Sequence, residues 1–138
     1  MRAMGLDLGA RRIGVATSDS RGIIASPVDV IERSGDPELD LRRLAAMAEE
    51  LGAAVVVVGL PLSMSGRTGP AAWAAEEEIE ALREGLPLPV VAFDERLTTV
   101  EASRRRRERG GARRRGPIDA EAAAILLQAY LDREAGRG

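Results

Sequence analysis

The sequence predicts one α/β domain whose mixed five-stranded sheet, an antiparallel meander followed by parallel strands, carries helices on both faces. Three observations lead there. Residues 1–31 divide into three short strand-like segments separated by turn-forming residues. Beyond them the apolar period alternates between helix and strand, the pattern of an α/β fold. Ala54 to Val58 is also uninterrupted aliphatic sequence, as in a strand covered on both faces and paired in parallel.

The elements follow in order. Strands are expected at Met4 to Leu8, Ile13 to Ser18 and Ile24 to Ile31, joined at Gly9-Ala-Arg-Arg and Ser20-Arg-Gly, both rich in turn-forming residues. Asp36-Pro37 has the form of an N-cap with proline at the first helical position. Leu41, Leu44, Ala45, Ala48 and Leu51 then recur at helical spacing until Gly52 ends the run. After the aliphatic strand, a loop runs from Gly59 through Pro61, Ser65 and Gly66 to Gly69. Pro70 opens a second helix with a buried stripe of Ala72, Ala75, Ile79 and Leu82, ending at Gly85 and the Pro87, Pro89 pair; Trp73 is expected to fill a helix flank. A fifth strand covers Val90 to Asp94. Thr98-Thr-Val-Glu101 resembles a capping box, so a third helix should start near Thr99 and run into arginines. Asp119 then precedes Ala120 to Leu131, apolar nearly all round and expected to be a buried helix. There is no internal repeat or interdomain linker, so residues 1–138 are expected to form a single domain, with one site.

What the chain lacks narrows its chemistry. It has no Cys and no His, and all 20 of its basic residues are Arg. Disulfides, a thiol nucleophile, a His base and the usual structural zinc sites are excluded, as are a P-loop lysine and a Schiff base. Carboxylates remain as the principal catalytic groups, and these suit hard oxygen-seeking cations such as Mg²⁺ or Mn²⁺. Met1-Arg-Ala-Met-Gly leads straight into a strand, and no uncharged apolar run approaches the roughly 18 residues of a membrane span. A soluble cytoplasmic protein without an export signal is therefore expected.

Asp7 is the most informative acid. In Gly5-Leu-Asp-Leu-Gly9 the alternation of a strand puts Met4, Leu6 and Leu8 on one face and Asp7 on the other, between two glycines. Gly14, Ala16 and Ser18 add small residues on the facing strand. Glycines weaken a strand, and close approach of a ligand or ion is one reason to keep them; the alternative is an Asp bonded to turn amides. Asp94-Glu95-Arg96 lies at the carboxyl end of the fifth strand, where open α/β sheets place ligands. Neighbouring acids point to opposite faces, so one of the two should enter the site, and the residues alone leave Asp94 and Glu95 open; a polar pre-helix turn with Arg96 as ion-pair partner is the alternative. Asp119 is equally readable as a helix N-cap. Should these three elements converge, their acids can share one or two metal ions. A metal pair held about 4 Å apart activates water on one side of a phosphodiester and steadies the leaving oxygen on the other.

Charge is distributed unevenly. Arg104, Arg105, Arg106, Arg107, Arg109, Arg113, Arg114 and Arg115, set against Glu108, give +7 over twelve residues, in a chain of net −2, so the remainder carries −9. Such a segment beside an acidic body attracts and orients a polyanion, and arginine forks suit phosphate. A solvated basic helix face, paired with Glu76, Glu77 and Glu78 of this or another molecule, is the alternative. Arg11 and Arg12 in the first turn and Arg67 in the glycine-containing loop are further phosphate candidates.

Four blocks in order, Gly5-Leu-Asp-Leu-Gly-Ala-Arg-Arg-Ile-Gly-Val-Ala-Thr-Ser-Asp19, Val58-Gly-Leu-Pro-Leu-Ser-Met-Ser-Gly66, Asp94-Glu-Arg-Leu-Thr-Thr99 and Asp119-Ala-Glu-Ala-Ala-Ala-Ile-Leu126, resemble the YqgF (RuvX) family over nearly the whole chain. The resemblance implies an RNase H-like fold and catalytic, metal-holding roles for Asp7, Glu95 and Asp119; the choice of Glu95 over Asp94 comes from it. It also implies a nuclease acting on the 5′ end of precursor 16S ribosomal RNA or, in the second proposal for the family, on Holliday junctions. Trimming an RNA end needs only a monomer, whereas a junction resolvase is expected to be a symmetric homodimer. Two rivals are weaker. A phosphate-binding domain of the sugar-kinase and actin type needs two lobes, and a catalytically silent nucleic-acid-binding module would not need all three acids.

Overall fold

The computed structural model describes residues 1–61, 69–98 and 115–136, the backbone alone for 115–118. Three strands, β1 (Ala3–Leu8), β2 (Arg12–Ser18) and β3 (Ala25–Glu32), come first. They are followed by α1 (Pro37–Leu51), β4 (Val55–Leu60), α2 (Pro70–Gly85), β5 (Val90–Asp94), a single 3₁₀ turn (Glu95–Leu97) and α3 (Arg115–Glu134). The sheet order is β3-β2-β1-β4-β5. β1 pairs antiparallel with β2, and β2 with β3; β1 pairs parallel with β4, and β4 with β5. This is the expected mixed sheet. The third helix expected near Thr99 lies outside the described residues.

Alternation along the strands divides the core. Met4, Leu6, Val56 and Val58 join Leu44, Ala48, Ile79 and Leu82 under α1 and α2, while Ala3, Ala16, Val55, Val57 and Phe93 join Ala122, Ala123, Leu126 and Leu127 under α3. The caps of α1 are those read from its sequence. The Asp36 side chain accepts from the Glu38 amide at 3.0 Å, Pro37 takes the first turn, and Gly52 closes the helix at φ 68°, a left-handed conformation that glycine adopts without strain. On α2, Trp73 is 67% exposed rather than packed on a flank. It follows the buried Ala72 by one residue, about 100° further round the helix, which turns it away from the sheet.

α3 differs most from the sequence expectation. It begins at Arg115, about a turn and a half before Ala120, because Gly116-Pro117 is accommodated within its opening turn, where a missing N–H breaks no helical bond. Asp119 is thus inside the helix and does not cap it.

The approach of α3 to the sheet depends on glycine. A Cβ on Gly5 would lie 2.9 Å from the Leu127 Cβ and 3.1 Å from the Ala123 carbonyl oxygen, and one on Gly14 would overlap the Asp119 carbonyl. Replacing Gly14 by Ala is expected to lower stability by about 1–3 kcal/mol through overpacking, measured by urea unfolding. Gly35→Ala serves as the comparison, since a Cβ there meets nothing within 4 Å and only its backbone conformation, φ 90°, is strained.

Candidate active site

Asp7 is the penultimate residue of β1 and is 4% exposed. It shares the α3 face with Gly5, and its partner across the antiparallel pair is Gly14. Both neighbours on that face are therefore glycines, as the alternation predicted. Its flank toward β4 is also glycine. The parallel register runs through Leu6↔Val58, which sets Gly59 level with Asp7 at the next position. The loop reading of Gly59 is corrected to the penultimate residue of β4, and the alternation Val55, Val57, Gly59 was the signal for it.

Each glycine makes room for one of the other acids. At Gly59 a Cβ would stand 2.7 Å from Glu95 Oε1, so the Glu95 side chain rests over this glycine. At Gly14 the Asp119 backbone occupies the corresponding space. Asp119 itself is in the second turn of α3, with its Oδ2 3.9 Å from Arg12 Nη1. The three elements named from the sequence thus meet at one end of the sheet. Among the described residues no three carboxylates are gathered at metal-ligand spacing.

Asp94 and Glu95 are separated by their surroundings. Asp94 caps the 3₁₀ turn by accepting from the Arg96 amide at 2.9 Å, and its carboxylate is gripped by the Arg96 guanidinium through Nε at 2.9 and 3.1 Å and Nη2 at 2.6 Å. This ion-paired hydrogen bonding holds the Asp94 carboxyl below its ordinary value and the Arg96 guanidinium above its own. The turn and ion pair weighed for this dipeptide therefore belong to Asp94, leaving Glu95 on the face of α3.

The β1–β2 turn is braced from outside the sheet. The Gly9 amide donates to the carbonyls of Asp7 at 3.1 Å and Arg12 at 2.9 Å. Arg33 donates from Nε to the Gly9 carbonyl at 2.8 Å and forks onto Glu78 of α2 at 2.6 and 3.0 Å, which keeps its guanidinium above the ordinary value. Glu78 is thus partnered within the chain, and sequence reading missed this brace. Arg11 is exposed on the same turn, and Arg12 lies between Asp119 and Glu32, its Nε 3.9 Å from Glu32 Oε1. Arg67, Arg104, Arg105, Arg106, Arg107, Arg109, Arg113 and Arg114 lie outside the described residues, as does the side chain of Arg115. On the opposite face of the sheet, α1 and α2 border a groove lined by Glu38, Asp40, Glu77, Glu78 and Glu84 with Arg33, a surface that repels a polyanion. No helix among the described residues is long and apolar enough to cross a membrane.

A mixed sheet of this order with α3 across one face is an RNase H-like fold. A solved structure of Thermus thermophilus RuvC in complex with a Holliday junction substrate shares it at a TM-score of 0.57 and 16% identity, over 99% of this chain and 98% of that one; a second Thermus thermophilus RuvC structure does so at 0.53 and 18%, over the same shares. The family model described as "RuvX: Holliday junction resolvase" matches residues 1–133, and the chain belongs to this family. A relative from Mycobacterium sp. (strain KMS), named "Putative pre-16S rRNA nuclease", is 48% identical over 95% of this chain and 79% of its own length. Another of that name, from Desulforudis audaxviator, is 43% identical over 99% of each.

The lowered carboxyl of Asp94 makes a signed prediction. Because its folded-state pKa is depressed, its pairing stabilises the turn above the ordinary value of 3.8 and is lost as pH falls through the folded pKa. Arg96→Ala is expected to return the Asp94 transition toward 3.8, followed by carboxyl-carbon NMR titration.

Proposed function

We propose that this chain is a single-domain, divalent-metal-dependent nuclease that hydrolyses a phosphodiester in nucleic acid, with precursor 16S ribosomal RNA as its substrate and Asp7, Glu95 and Asp119 as its catalytic acids. One observation carries the site assignment: Asp7 is flanked by Gly14 and Gly59, and those two glycines underlie Asp119 and Glu95. Family membership and the names of the relatives support the reaction class and the RNA.

The donor set fits Mg²⁺ or Mn²⁺. It consists of carboxylate oxygens, the hard ligands these ions prefer, and Gly14 and Gly59 let Asp119 and Glu95 approach Asp7 where a Cβ would push them back. A bound divalent ion supplies charge neutralisation at the phosphate and a nucleophilic water at neutral pH. The residues do the rest. Asp7, on a strand inside the sheet, is the rigid anchor of the site, while Glu95 on the 3₁₀ turn and Asp119 on α3 bring carboxylates from its two sides. Asp94 and Arg96 hold the turn that carries Glu95, and the Arg33 brace holds the turn that follows Asp7. Arg11 draws the nucleic-acid backbone to this end of the sheet, away from the acidic groove on the other face, and the arginines between 104 and 115 add to the attraction of the chain for a polyanion.

The family description favours a second reading, resolution of four-way DNA junctions. The two readings separate by substrate and by mass: symmetric cutting of a junction requires a two-fold dimer, whereas RNA trimming does not.

Labelled precursor rRNA leader and a four-way DNA junction, each incubated with Mg²⁺, Mn²⁺ or EDTA, provide the test. Asp7→Asn, Glu95→Gln and Asp119→Asn are each expected to reduce metal-dependent cleavage by at least about 100-fold with the fold intact by circular dichroism. Asp94→Asn is expected to keep activity within about ten-fold, since its carboxylate acts through the turn. Cleavage that survives Asp7→Asn would sink the carboxylate mechanism, and binding without cutting under all these conditions would favour a non-catalytic module.

A further inference from the structure

We infer that Arg12 is a positioning residue with two alternating partners: it holds the Asp119 carboxylate when no metal ion is bound and passes to a substrate phosphate when a divalent ion takes that carboxylate. The inference rests on the nuclease reading above and adds to it an order of events, in which metal loading prepares the chain to grip nucleic acid.

The geometry points to exchange rather than to a fixed ion pair. Arg12 Nη1 stands 3.9 Å from Asp119 Oδ2 and Nε 3.9 Å from Glu32 Oε1, both beyond hydrogen-bond length, so neither contact locks the guanidinium. In contrast, the two cations that brace the turns nearby, Arg33 and Arg96, grip Glu78 and Asp94 through hydrogen bonds of 2.6–3.1 Å. The Arg12 side chain is 28% exposed and that of Asp119 19%, which lets a solvent-borne ion or phosphate reach the pair. Glu32 is 83% exposed on its side chain, and so exposed a carboxylate restrains Arg12 little.

Backbone packing confines the exchange to side chains. Gly14 is two residues beyond Arg12 on the same face of β2, and the Asp119 carbonyl lies directly over it. Asp119 therefore remains beside Arg12 whatever ion is bound, and its carboxylate alone turns. While the cationic guanidinium faces Asp119 it opposes a second cation there; once released, its planar fork suits a phosphate.

Calorimetric titration of Mn²⁺ into the full chain without nucleic acid tests the metal half. Arg12→Gln is expected to bind Mn²⁺ about 3- to 10-fold tighter than the native chain, because a cation opposing the ion is gone. Arg12→Lys keeps that cation and is expected to stay within about two-fold. Arg21→Gln, the same charge change at the opposite end of the sheet, is expected to leave the affinity unaltered, which separates a local effect from net charge. For the phosphate half, fluorescence anisotropy of a labelled precursor rRNA leader, with Ca²⁺ in place of the catalytic ion, is expected to show at least about three-fold weaker binding by Arg12→Gln. Equal or weaker Mn²⁺ binding by Arg12→Gln, or unchanged RNA affinity, overturns the exchange. Absence of Mn²⁺ binding by the native chain overturns the nuclease reading itself, a different result. If Arg12→Gln fails to fold, Arg12→Met carries the same expectations.

Discussion

The closeness of α3 to the β1–β2 pair is the contact on which the rest of the site depends. Two glycines at facing strands, Gly5 and Gly14, remove the side chains that would otherwise keep a helix at ordinary distance, and the backbone of α3 settles into that space. This seats Leu126 and Leu127 fully within the second core and, one helical stretch earlier, Asp119 above the strand partner of Asp7. Close packing and the placement of Asp119 are thus one arrangement, because a helix cannot shift by part of an ångström without disturbing both.

The same economy governs the acids. A buried carboxylate such as Asp7 costs free energy unless it is compensated, and a strand that surrounds it with glycines sacrifices local stability as well. The strand is held in place from outside: Val55 to Val58 are fully aliphatic, α1 is capped at both ends, and the turn after Asp7 is tied to α2 through Arg33 and Glu78. Neighbouring charges take separate duties. Asp94 is engaged by Arg96 at the turn, whereas Glu95, one residue on, faces the sheet. Arg11 and Arg12 lie at this end of the sheet, and the acidic groove is on the other face.

Much of this is legible in the sequence. Element types followed from period and punctuation: the strand alternation of 4–8, the capped helix from Pro37, and the aliphatic run after Ala54 all form as their local chemistry dictates. Asp7 was identifiable because its oddity is local, a charge between glycines on a strand. Where reading failed, local signals were ambiguous. Asp119 resembles an N-cap yet lies inside a helix, Trp73 resembles a packing residue yet faces solvent, and Gly59 resembles the start of a loop yet belongs to a strand.

By itself the sequence determined the class of chemistry and the order of the elements, since residue types limit the available ligands and period limits the backbone. It excluded imidazole, thiolate and lysine catalysis outright, and its four blocks pointed to the family. Only the tertiary structure decided which acid of the Asp94-Glu95 pair faces α3, that Asp119 sits within a helix rather than at its cap, and that Arg12 neighbours it. These depend on how far a helix can approach a sheet and on which carboxylate an arginine reaches first. Both are distances between residues far apart in the chain, and neither local period nor composition carries them.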